Sequence, residues 1–251
     1  MRLQGSGVVD AAQSLEGSII PPSNAIRGIE LGPTRWVLVI EKEATFRTLS
    51  TTKYWERSAA GQGLLVTGKG YPDLATRSFL HEVHNTRPAI PIYALVDYDP
   101  DGVNVFRCYK WGSAALEHEE GVKLPSLQWL GIKSRDLNDM PSQVQVAAPV
   151  DYDKHAQVGV SSRKQTIAPV GPFNRLLRLT QRDSKLTIKL LGDLGNETDR
   201  GGDAAEAVLE LQKMLMMNIK AEIQTMNDEG DITCYLERML VEGSRQVPLP
   251  S

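Results

Sequence analysis

The stretch ALVDYDPDGVNV, residues 94–105, places Asp97, Asp99 and Asp101 at alternate positions behind a short apolar run and closes them with Gly102. In an extended segment alternate side chains share a face. Asp97 and Asp99 therefore project together, with α-carbons about 6.5 Å apart, and Tyr98 points the other way. The run ahead of them, IYALV (92–96), suits a buried parallel strand. WVLVI (36–40), GLLVTG (63–68) and LQWLGI (127–132) have the same character. Helical segments are predicted between them over 43–50, 72–84 and 102–113, the second with an apolar stripe at Leu74, Phe79, Leu80 and Val83. Strands alternating with helices of this length imply βαβ units and a parallel sheet. The expected fold class is α/β, with a Rossmann-like, parallel four-stranded sheet flanked by helices.

Beyond this core, residues 175–194 are predicted mainly helical. Asp203 is placed as the cap of a last long helix. Val208, Leu211, Leu215, Ile219, Ile223 and Met226 recur there at spacings of three and four, a stripe for core packing. Residues 1–34 read as a tail or connecting segment, about 141–172 as an insertion, and 241–251 as a disordered tail. The globular unit is thus expected over 35–240, as a central α/β domain with a helical C-terminal extension.

Composition narrows the function classes. The chain has 251 residues, 41% hydrophobic and 24% charged, enough for one large packed domain. A formal charge of -3 shows no global basic bias, so a nucleic-acid partner requires a local basic face or bound metal ions. Cys108 and Cys234 lie far apart and outside any CxxC pattern, which argues against a disulfide framework or zinc cluster. No run approaches the roughly 20 apolar residues of a membrane helix, and no membrane association is expected.

Three chemistries compete for the acidic run. D-x-D-x-D-G matches the opening of an EF-hand loop, but the twelfth position, a glutamate in such loops, is Cys108. Pro100 stiffens the fourth position, and the flank is strand-like where a helix is required. A phosphatase of the haloacid-dehalogenase kind follows D-x-D with x-[TV]; Asp101 stands in that place. The third chemistry is a magnesium site. Ligands of parallel α/β sheets gather at the carboxyl ends of strands. Asp97 ends one strand and Glu41 directly follows Ile40 at the end of another. If these strands are neighbours, Glu41, Asp97 and Asp99 converge. Carboxylates so close raise one another's pKa unless a cation joins them. Hard oxygen ligands at an open site suit magnesium. The plainer alternatives are that Asp101 only caps the helix at 102 and that Glu43 only favours a helix N-terminus. Asp151-Tyr152-Asp153 repeats the pattern with no strand before it, and reads as a solvated turn. In VTGKGYPDLATR (66–77), Gly68 and Gly70 would let backbone amides approach an anion, and Lys69 and Arg77 would meet a DNA phosphate.

Together VLVIEKEATFRTL, LLVTGKGYPDLATRSFL, ALVDYDPDGVNV, WLGIKSRDL and LLRLTQRDSKL resemble the Toprim domain of type IIB topoisomerases. The wording GKGYPDLATR is closest to the meiotic double-strand-break transesterase branch related to the topoisomerase VI A protein. The resemblance implies that Glu41, Asp97 and Asp99 hold magnesium, with Glu41 a possible acid or base, and that Asp101 departs from the usual aromatic. It implies transesterification that leaves a 5′-phosphotyrosyl break, DNA as partner, a homodimer or heterodimer of A-type subunits, a topoisomerase VI B-like partner, and a nuclear location. The family's nucleophilic tyrosine sits on an upstream winged-helix domain. The residues before Trp36 hold no tyrosine, so this chain alone is expected to be inactive. Two other functions remain open: a non-catalytic module binding DNA or a partner, and a Toprim phosphodiesterase such as an OLD-like nuclease.

Overall fold

The computed structural model describes residues 1–4, 7–112, 122–138, 176–195, 201–223 and 231–246. Arg2–Leu3 (β1) pairs antiparallel with Ile26–Gly28 (β2), so the first 34 residues contribute a small two-stranded sheet. The main sheet is formed by Trp36–Ile40 (β3), Gly63–Thr67 (β4), Ile92–Leu95 (β5) and Leu127–Gly131 (β6), all parallel, in the order β4-β3-β5-β6. Every residue of β3 and of β5 is buried, as expected of central strands covered on both faces. Gly63 is required at the start of β4, because a side chain there would run into the indole of Trp36.

Helices Glu43–Thr51 (α1), Tyr54–Arg57 (α2), Leu74–Thr86 (α3) and Pro100–Lys110 (α4) connect the strands. Asp73 caps α3 by accepting from Thr76 N at 2.7 Å. Phe79, Leu80 and Val83 form its buried stripe, while the expected fourth member, Leu74, is 45% exposed in the first turn. Helix α4 starts two residues earlier than predicted. Its cap is Asp99, which accepts from Gly102 N at 2.7 Å; Asp101 lies within the first turn. Pro100 takes the N-terminal position, where its missing N–H costs nothing. Phe106 of α4 stacks on Trp129 of β6 with ring centroids 5.6 Å apart.

The C-terminal extension contains Ser134–Asn138 (α5), Leu177–Arg178 (β7), Gln181–Gly195 (α6), Gly201–Met217 (α7), Ile219–Lys220 (β8) and Asp231–Gln246 (α8). Thr180 and Asp183 exchange side-chain-to-backbone hydrogen bonds and so start α6 later than the predicted 175. The predicted long helix stops at Met217. Asn218 adopts φ 52, and Ile219–Lys220 turns back to pair antiparallel with Leu177–Arg178. Ile219 and Ile223 therefore lie beyond the helix, and Met214 rather than Leu215 is the fully buried position. Asp203 is not a cap; it sits in the first turn of α7 and pairs with Lys110 Nζ at 2.9 Å. Helix α8 continues to Gln246, into the stretch read as a tail. The predicted insertion, Asp151–Asp153 and Met226 lie outside the described residues. No described helix is long and apolar enough to cross a membrane.

Candidate metal centre

Strands β3 and β5 are neighbours, with Ile40 opposite Leu95. The ladder runs one step further, since Glu41 N donates to Leu95 O at 3.0 Å. The carboxylate of Glu41 then reaches the next strand end: its Oε2 accepts from Asp97 N at 2.9 Å. The backbone of Glu41 is held from the other side, where Gly70 N donates to Glu41 O at 2.9 Å. Gly70 has φ 110, a conformation that suits glycine. Gly102 is required for a different reason. A side chain on it would strike the carbonyl oxygen of Asp97, which the turn from β5 into α4 brings against it.

Asp97 is 3% exposed and both its oxygens are engaged. Oδ1 accepts from Ile223 N at 2.8 Å and Oδ2 pairs with Lys42 Nζ at 2.8 Å. Lys42 also reaches Glu222 Oε2 at 3.0 Å. Asp99 accepts from Gly102 N through Oδ1 alone. Among the described residues, Glu41 Oε1 and Asp99 Oδ2 accept no hydrogen bond.

The acids perturb one another. Burial, then the charge of Asp97, pushes Glu41 up to about 8. Burial pushes Asp99 up to about 6, and the nearby charge of Asp97 adds to it. Burial also raises Asp97, against the pull of Lys42. Lys42 itself, drawn down by burial, is lifted above the ordinary lysine range by Asp97 and Glu222. Among the described residues no three carboxylate, imidazole or thiol groups surround one point at metal-bonding distance. Asp97 faces a backbone amide and an ammonium. The donors nevertheless suit magnesium, which is content with one or two carboxylates and keeps several waters. Two carboxylate oxygens are open, and a cation already rests on the third acid.

The profile of the Toprim domain shared by the topoisomerase 6 A protein and Spo11 matches residues 36–195, which include the whole four-stranded sheet and all three acids. The chain belongs to the topoisomerase 6 A/Spo11 family. It is 32% identical over 192 residues to the meiotic recombination protein rec12 of Schizosaccharomyces pombe, covering 76% of this chain and 43% of that protein. It is 36% identical over 138 residues to the meiotic recombination protein SPO11-2 of Oryza sativa subsp. japonica, covering 51% and 35%. It is 35% identical over 141 residues to the type 2 DNA topoisomerase 6 A protein of Aeropyrum pernix, covering 55% and 35%. The chain thus spans less than half the length of each of these relatives.

In this Toprim domain the three residues predicted to meet phosphate, Lys69, Gly70 and Arg77, differ in their surroundings. Lys69 is exposed, at φ 56, with Nζ 3.3 Å from Glu43 Oε1. The amide of Gly70 serves Glu41 and does not point to an open anion site. Arg77 is 2% exposed on the inner side of α3, with Nε and Nη2 lacking hydrogen-bond partners among the described residues. Asp101 belongs to a separate network. Arg182 grips it with two hydrogen bonds, at 2.6 and 3.2 Å, and Tyr71 donates to it at 3.1 Å.

Sequence reasoning missed the groups that hold Asp97 from the extension. Tyr98 N donates to Ala221 O at 2.9 Å and Ala221 N to Tyr98 O at 3.0 Å, an antiparallel bridge that lays residues 221–223 along the acidic loop. Lys220 beside it pairs with the buried Asp183 at 2.8 Å. Nothing local announces a contact between positions 126 apart. Lys42 was missed as well, although it follows Glu41 directly and is the first cation after β3.

Proposed function

We propose that Glu41, Asp97 and Asp99 hold magnesium and that this Toprim domain positions a DNA phosphate for transesterification, as part of a meiotic double-strand-break-forming or topoisomerase VI A-like protein. The observation that carries it is the bond from Asp97 N to Glu41 Oε2, which joins the acid-bearing ends of two adjacent parallel strands, with Asp99 two residues on. When bound, the metal supplies a positive charge that orients the phosphate and stabilises charge on the leaving oxygen. Glu41 provides an open carboxylate oxygen, and its raised pKa leaves it able to hold or release a proton near neutral pH. Asp99 provides a second open oxygen, fixed in direction by its capping bond to Gly102. Asp97, buried and already paired with a cation through Oδ2, would supply the third carboxylate. Lys69, exposed beside the strand ends, is the candidate for contact with DNA phosphate.

The attacking tyrosine is assigned to a winged-helix domain outside these residues, acting within an A-type homodimer or heterodimer, with a B-type partner, in the nucleus. Support for this is the kinship with meiotic recombination proteins and a topoisomerase 6 A protein.

Calorimetric titration of the chain with magnesium tests the site. Wild type is expected to bind, and Glu41→Gln to bind about tenfold or more weakly. Equal binding by the two proteins removes Glu41 from the site.

A further inference from the structure

Lys42 is placed unusually for a lysine. Its ammonium stands between two acids from distant parts of the chain, Asp97 Oδ2 at 2.8 Å and Glu222 Oε2 at 3.0 Å. The Asp97 side chain is 4% exposed and that of Lys42 24%, so the carboxylate is removed from water and the lysine is partly buried. The oxygen it occupies belongs to Asp97, whose own amide binds Glu41 and which stands two residues before Asp99. We infer that Lys42 is an internal cation that competes with the metal for Asp97, and that Glu222 is its alternative seat. The inference rests on the metal site proposed above.

The physical reason is exclusion. An ammonium and a divalent ion on the same carboxylate oxygen repel strongly at low dielectric, so metal uptake requires Lys42 to give up Asp97. A partly buried ammonium left with no partner would still be destabilising. Here it need not lose every partner, because Glu222 is already in contact. Asp97 also keeps its orientation when Lys42 leaves, since Ile223 N holds Oδ1 independently. Both supports, Glu222 and Ile223, come from one short segment bridged to Tyr98. The metal-free acid cluster is thus neutralised from within, and metal binding shifts Lys42 from Asp97 toward Glu222. A lysine serving only to pack the loop would stabilise the fold without opposing the metal.

Magnesium calorimetry on the 251-residue chain tests this with four variants, each checked by near-ultraviolet circular dichroism. Lys42→Gln is expected to bind magnesium about tenfold tighter than wild type, and Lys42→Arg to stay within about threefold. Glu222→Gln, which leaves Lys42 only Asp97, is expected to bind several-fold more weakly, and most of that loss should vanish in the Lys42→Gln/Glu222→Gln double variant. Folded Lys42→Gln binding with wild-type or weaker affinity overturns the inference. So does Glu222→Gln binding as tightly as wild type, which decides the matter even if Lys42→Gln does not fold. Should wild type take up no magnesium while Lys42→Gln does, the proposed wild-type site fails and the competition stands. Binding by neither overturns both.

Discussion

Glu41 gains a proton-holding environment on folding, and that has a sign. Its carboxyl rises from 4.5 to about 8, so between these values the folded chain binds more protons than the unfolded chain. Stability then falls as pH rises through that window. Asp99 adds the same trend over the narrower range from 3.8 to about 6. The metal-free chain is expected to melt at progressively lower temperature from about pH 5 to pH 8, and Glu41→Gln to flatten the upper part of that decline. Melting curves across this range check it; a Glu41→Gln profile parallel to wild type contradicts it. The acids themselves were readable in the sequence, because Glu41 and Asp97 each end an apolar run long enough to be a buried strand. Their partners were not. Whether Asp101 caps a helix or meets Arg182 depends on where a helix 81 positions downstream comes to rest, and no local pattern records that.

Among the elements, the four strands and three of their connecting helices were foreseen, since continuous apolar runs and a 3.6-residue stripe each admit one reading when buried on a parallel sheet, while the short α2 (Tyr54–Arg57) was not. The end of α7 was not. Its apolar stripe continues in phase through Ile219 and Ile223, and periodicity alone carries the helix onward. Tertiary pairing wins instead: β8 joins β7, and Ala221 pairs with Tyr98. This small turn of chain ties the extension to the acidic loop. Ala221→Pro removes the donor to Tyr98 O and strands a buried carbonyl, at a cost of about 1–3 kcal/mol. Urea denaturation should show that loss together with weaker magnesium binding, because Ile223 N no longer steadies Asp97. A loss of stability with unchanged magnesium affinity would mean that the bridge supports the fold but not the site.

Taken whole, the molecule is a Toprim sheet whose acidic edge is covered by its own C-terminal extension. The family profile ends at residue 195, yet Lys220, Glu222 and Ile223 lie beyond it and touch the acids or their neighbours. Net charge gave no sign of a nucleic-acid partner, and the cations nearest the acidic loop, Lys42, Arg182 and Lys220, are each matched to a carboxylate. On the proposed reading a phosphate is drawn to this face by a metal among the acids, with Lys69, exposed and paired only at the surface with Glu43, as the nearest candidate cation. The most direct measurement is anomalous scattering from a crystal grown with manganese. The predicted result is a peak bonded to the carboxylates of Glu41, Asp97 and Asp99, with Lys42 moved off Asp97. A crystal that takes up manganese elsewhere while Lys42 stays on Asp97 and the three acids bind no ion would contradict it.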